Sequence, residues 1–202
     1  LFFFFYRKDK SSDWSSELYL HPSYVTEQAF ELDFRALVSL PSGIEKAEWL
    51  ATNTTAFFKH ISVCYGALSE YCTANACPTA SAPGRTQYFW HNEHGQRLYC
   101  SGPLYTDYVT SYIQELLTDE KVFPTKVGSG FPKGFVSLVQ KIFLLLFRIL
   151  VHIYWAHYHQ AAKLDLHPHL NTLFKHFIIF SQEFALLEDS DTAVMASLIT
   201  AL

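Results

Sequence analysis

Residues 135–156 read FVSLVQKIFLLLFRILVHIYWA. Lys141, Arg148 and His152 interrupt this apolar run, so its longest unbroken stretch falls far below the ~18–20 residues that a membrane span needs. No transmembrane segment is expected; the run reads as a buried core helix, from about Phe135 to His159. Such a helix must be wrapped by others, and the flanking sequence supplies them.

Working toward the N-terminus, Ser42-Gly43-Ile44-Glu45 fits a capping box just after Pro41 and predicts a helix start. Leu50, Phe57, Ile61, Cys64, Leu68 and Cys72 then recur at three, four and seven, which aligns one buried stripe. Glu45, Glu48, Thr52, Thr55, Lys59 and Ser62 fall on the opposite face. Ahead of this helix come an extended polar entry, Ser11 to Thr26, and a short segment, Phe30 to Leu40. After it, Thr73 to Arg85 holds two prolines and reads as a loop. Gln87–Trp90 and Arg97–Cys100 flank Asn92-Glu93-His94-Gly95, a hairpin with a glycine-closed turn. Pro103 starts a further helix that stops near Asp119, and Asp119 to Gly134 is irregular. Beyond the core run, helices are expected from about His169 to Leu187 and from Ser190, a good N-cap, to the end. The fold class is therefore mainly α: one helical bundle with a small β-hairpin, over residues 17–202.

The chain has 202 residues, 50% hydrophobic and 17% charged, enough for a core that buries roughly 70% of the unfolded surface. Net charge is −4, with no basic excess to follow a phosphate backbone, so nucleic acid is not an expected partner. The imbalance is local: residues 17–70 carry three basic and seven acidic side chains, a net of −4. Four cysteines, Cys64, Cys72, Cys77 and Cys100, are too few for a disulfide framework and read as intracellular usage. Leu1-Phe2-Phe3-Phe4-Phe5-Tyr6 precedes Arg7, Lys8 and Lys10, which reverses the charge order of a secretory signal. Residues 1–16 are read as a fragment edge or a disordered leader.

Two pairs carry the chemistry. Cys72 and Cys77 have four residues between them, as do His152 and His157, and thiolate and imidazole are the donors zinc favours. Between the pairs lie 74 residues, many more than in a compact finger. Histidines five apart on an ideal helix also diverge by about 140°, so convergence needs a bulge or long reach from both rings; His159, seven from His152, aligns better. Spacing alone leaves two readings open, a metal site or packed cysteines with interior histidines. His167, His169 and His176 cluster near a helix start, where bonding to backbone is expected. No phosphate-binding glycine loop, nucleophile elbow or His-Glu-x-x-His is present.

Several motifs in one order resemble the Mob family of kinase activators: Glu48 to Thr54, Cys72 to Cys77, Val122 to Lys126, Leu146-Phe147-Arg148, His152 to His157 and His169 to Thr172. Thr52-Asn53-Thr54-Thr55 with Phe57-Phe58, and Ile153-Tyr154-Trp155-Ala156-His157, resemble its Mob-two class. The resemblance implies a Mob/phocein-like bundle with one structural zinc on Cys72, Cys77, His152 and His157. It implies adaptor work rather than catalysis, on the basic N-terminal regulatory helices of NDR/LATS-type serine/threonine kinases. The matching surface is Glu48, exposed Trp49 and Thr52, with Glu45 nearby. Ala56 stands where the Mob-one class has an acid that favours LATS-type partners, which points to NDR-type kinases in Hippo-type signalling. Of a basic phosphopeptide cluster only Arg148 remains, since Leu144 and Leu145 replace its neighbours, so phosphopeptide docking should be weak or absent. A protein monomeric before it meets its kinase, in cytoplasm and nucleus, is the expectation. Competing readings are a zinc-dependent hydrolase, which needs an open coordination position, and a phosphopeptide-binding scaffold.

Overall fold

The computed structural model describes residues 17–126 and 128–202. The leader read from residues 1–16 lies outside them. Its α-helices are α1 (Pro22–Val25), α2 (Phe34–Val38), α3 (Lys46–Leu68), α4 (Gly102–Thr118), α5 (Phe135–Lys163), α6 (His167–Glu183), α7 (Asp189–Thr192) and α8 (Ala196–Ala201). Strands β1 (Ala80–Ala82), β2 (Thr86–His91) and β3 (Arg97–Tyr99) form an antiparallel sheet in that order.

At the centre lies α5. By length and apolar content it meets the test for a membrane span, yet 61% of its apolar window is buried inside the fold. Burial comes from α3, α4, α6 and β1, which surround it. One narrow stripe, with Ser137, Gln140 and Lys141, stays exposed, and the rest of the helix surface is free to be apolar. Phe143 stacks on Phe177 at 4.9 Å and meets Phe57 edge-on at 5.7 Å, tying α5 to α6 and α3. Each such aromatic contact adds about 0.5–1.5 kcal/mol to simple area burial.

Further along, the buried Asn171 side chain accepts from the Tyr154 hydroxyl at 2.9 Å and donates to the carbonyls of Tyr24 and Glu27 at 2.8 and 2.9 Å. One amide thereby fastens the N-terminal segment to α5 and α6. That segment is not extended, as the sequence suggested. A 3-10 turn, Leu18–Leu20, precedes α1, where His21 caps by accepting from the Ser23 amide at 3.2 Å and Pro22 opens the helix. Tyr19 and Val25 thereby enter the core.

Three boundaries also differ. Ser42 does not cap α3; Pro41 to Ile44 close a turn, with Ile44 N–H donating to the Pro41 carbonyl at 3.2 Å and Gly43 at φ +83. That left-handed residue delays the helix, so Glu45 is the N-cap. At the other end Glu188 rather than Ser190 precedes α7, its amide held by the Asp191 carboxylate at 3.1 Å. The segment read as a loop contains β1, whose Ala-Ser-Ala sequence has no strand signal and pairs because Ala80 and Ala82 fit beneath the bundle. The hairpin is as expected, with Phe89 opposite Tyr99 and Gly95 at φ +72.

Candidate metal centre and acidic ridge

Where α3 ends, a turn carries the chain to Cys72, whose amide donates to the Ser69 carbonyl at 3.2 Å. A second turn follows: the Cys77 amide donates to the Thr73 carbonyl at 2.8 Å, and the Thr73 hydroxyl accepts from the Ala76 amide at 3.2 Å. Both thiols are thereby turned toward α5. Cys72, Cys77, His152 and His157 are all buried, and their donor atoms lie within 4.8 Å of one another. Cys72 Sγ is 3.5 Å from His152 Nε2, and Cys77 Sγ is 3.4 Å from His157 Nε2. Tetrahedral zinc, with Zn–S of about 2.3 Å and Zn–N of about 2.0–2.1 Å, places sulfur and nitrogen roughly 3.5 Å apart. The cluster fits a zinc site.

The surroundings are built for the same purpose. His152 Nδ1–H donates to the Ser81 carbonyl of β1 at 3.0 Å, which leaves the Nε2 lone pair facing the sulfurs. Gly102 opens α4 with its amide on the Cys77 carbonyl at 2.8 Å. A Cβ there would lie 2.7 Å from His152 Nε2 and 2.9 Å from Cys77 Cβ, so only glycine lets α4 approach. Burial pushes the Cys77 thiol up to about 12, aided by Cys72, and raises Cys72 as well. Burial also lowers His157 to about 4, with His152 adding to the effect, and lowers His152. A dication would reverse the cost of the thiolates while keeping both imidazoles neutral, as a metal ligand must be. Four protein donors fill a tetrahedron and leave no position for an activated water.

The five-residue histidine spacing is met by reach rather than by a bulge. α5 stays α-helical throughout, and both rings extend their Nε2 atoms inward with centroids 5.3 Å apart. His159 is exposed and lies outside the cluster. His167, His169 and His176 do not bond to backbone as expected: His167 Nε2 meets the Glu27 carboxylate at 2.6 Å, His169 packs against Phe30 at 6.1 Å, and His176 packs against Phe57 at 4.8 Å.

On the outer side of α3, Glu45, Glu48 and Thr52 are exposed. Neither glutamate is ion-paired among the described residues. Trp49 differs from its expected exposure. It is half-buried, and its indole N–H donates to the Val38 carbonyl at 3.1 Å, which braces α2 against α3. An element that sequence reasoning missed lies beside these residues: an apolar groove of about 470 Å³ between the 30–34 segment, α3 and α6. Phe30 is 59% exposed there and Val63 64%. Period and composition cannot distinguish such side chains from core ones. Arg148 is half-buried with its guanidinium over the Tyr88 ring at 5.2 Å; Leu144 is half-buried and Leu145 buried, so neither of these positions supplies a cation beside it.

Fold and site together define a helical bundle braced by a closed Cys2His2 cluster. The model described as the Mob1/phocein family matches residues 27–195, and the chain belongs to that family. A Mus musculus protein named MOB kinase activator 2 is 49% identical over 182 residues, which cover 90% of this chain and 77% of that protein. Its Homo sapiens namesake is 49% identical over 180 residues, 89% of this chain and 76% of its own. A Drosophila melanogaster protein named MOB kinase activator-like 2 is 39% identical over 199 residues, 97% of this chain but 35% of that longer protein.

Proposed function

We propose that this chain is a non-catalytic adaptor that binds the basic N-terminal regulatory helices of an NDR-type serine/threonine kinase and modulates its activity. The observation that carries the reading is the pairing, along α3, of unneutralised Glu45 and Glu48 with the apolar groove that begins about three turns beyond Glu48, at Lys59 and Val63. An amphipathic helix rich in Lys and Arg needs both. Carboxylates steer it and set its register, and the groove takes up its apolar side chains. The half-buried Ala56 brings no third charge to this face. Relatives named as kinase activators support the partner class.

In this reading zinc on Cys72, Cys77, His152 and His157 is structural: it holds the end of α3 against α5 and so fixes the ridge. Residues 17–202 act as one folding unit, monomeric before kinase binding, in cytoplasm and nucleus. The test is fluorescence anisotropy of the labelled kinase helices with the purified chain, run beside a kinase assay. Binding that weakens as salt rises, with a change in kinase activity, is the expected outcome. Absence of binding at low salt would overturn the reading; binding without any change in activity would reduce it to competition.

A further inference from the structure

A second groove, of about 680 Å³, lies between β2, α4 and α5, and none of its lining residues belongs to α3. Its shelf is aromatic. Trp90 packs against Tyr108 at 5.9 Å and Tyr112 at 5.7 Å, all three half-buried, with Leu144 beside them. The polar tips of these rings, Trp90 Nε1–H and the two hydroxyls, make no hydrogen bond among the described residues. Trp49, by contrast, has committed its indole N–H inside the fold.

Charge is graded along the groove. Arg148 sits at the end marked by Tyr88, which it overlies at 5.2 Å, and by Tyr105, whose ring stacks on Tyr88 at 6.1 Å. Glu115 lies ten residues beyond Tyr105 on α4, about 15 Å along the helix axis. Glu93 lies past Trp90 in the hairpin turn, so it too is remote from Arg148. Lys141, over the Tyr112 ring at 4.6 Å, accompanies the two glutamates without pairing to either.

We propose that this groove binds an extended proline-rich peptide flanked by a basic residue. Flat aromatic faces accept amide N–H groups poorly, so a chain laid across them orphans its donors unless it has none; proline has none. A polyproline II ligand also arrives with its conformation preset and its carbonyls turned outward, where an indole N–H and two phenols can donate to them. The acidic end selects a Lys or Arg flank and Arg148 repels it, which fixes the direction of the chain. A phosphopeptide would meet a single guanidinium, where a bidentate clamp with further cations is needed for a doubly charged group.

The experiment follows the four tryptophan indole signals of the intact 15N-labelled chain by NMR. Its probes are the peptides RPLPPLPG and RALAALAG and a proline-free phosphothreonine peptide. RPLPPLPG should move the one signal that Trp90→Phe removes, and bind at least about tenfold more tightly than RALAALAG, as preorganisation predicts. Tyr108→Phe should weaken binding about fivefold, the scale of one lost hydrogen bond. Glu115→Gln should weaken it about threefold at low salt and leave the melting temperature unchanged. Saturation with the basic kinase helices should leave all of this intact, so the two binding claims can fail separately. Equal binding of the proline-free peptide, tighter binding of the phosphopeptide, or shifts confined to other indoles would overturn the proposal.

Discussion

The two ends of α3 follow opposite rules. Its C-terminal end runs into Cys72 and Cys77, where each donor is buried and aimed at a neighbour. Its N-terminal half presents Glu45, Glu48 and Thr52 to solvent with no ion-pair partner among the described residues. At the first end the fold dictates the side chains, because a buried thiol or imidazole without its partners costs stability. At the second the fold is indifferent, which leaves these residues free to serve the proposed docking.

The largest effect should come from the first end. Cys72→Ala leaves three donors for a tetrahedral ion and should cost on the order of 4 kcal/mol or more, or prevent folding. Calorimetry with and without a chelator checks this, together with the zinc content of the purified chain. A wild-type melting temperature indifferent to the chelator would erase the contrast between the two ends.

Gly102→Ala comes next. Its added methyl would lie 2.7 Å from His152 Nε2 and 3.2 Å from Cys72 Sγ, so α4 or the ligands must shift. We expect a loss of about 1–3 kcal/mol, the usual cost of overpacking. Zinc affinity should fall in parallel, measured by competition with a chromophoric chelator. Stability that falls while zinc affinity holds would show that α4 yields and the cluster does not.

These positions were unequally legible beforehand. The donor set could be named from residue type, but its closure could not, since Gly102 and Ser81 act through backbone placement that no pattern encodes. α4 and the hairpin were plain because Pro103 and Gly95 mark them chemically. β1 was invisible: its pairing is decided by the space beneath Ala80 and Ala82. The apolar groove escaped for the related reason that Phe30 and Val63 look like core residues until the fold leaves them outside.

At the second end, Glu48→Lys should leave the melting temperature within about 0.5 kcal/mol equivalent of wild type, as for most exposed positions. It should also weaken binding of the kinase helices about tenfold at low salt and flatten the salt dependence. Anisotropy titrations at two ionic strengths read both quantities. Unchanged affinity would mean that the ridge is only a solvated face and that the groove alone carries binding.

Trp49 sits between the two regimes and gives the smallest expected effect. Its position beside Glu48 suggests an anchor for a partner, whereas its N–H on the Val38 carbonyl makes it a brace between α2 and α3. Trp49→Phe keeps most of the ring and removes that donor, so it separates the two roles. As a brace it should cost about 1 kcal/mol of stability, the scale of one hydrogen bond, and leave affinity for the basic helices within about twofold. The reverse outcome, unaltered melting with weakened binding, would move Trp49 to the surface side of the comparison. The line between what the fold demands and what a partner demands would then run through the Val38 carbonyl contact rather than along the exposed edge of α3.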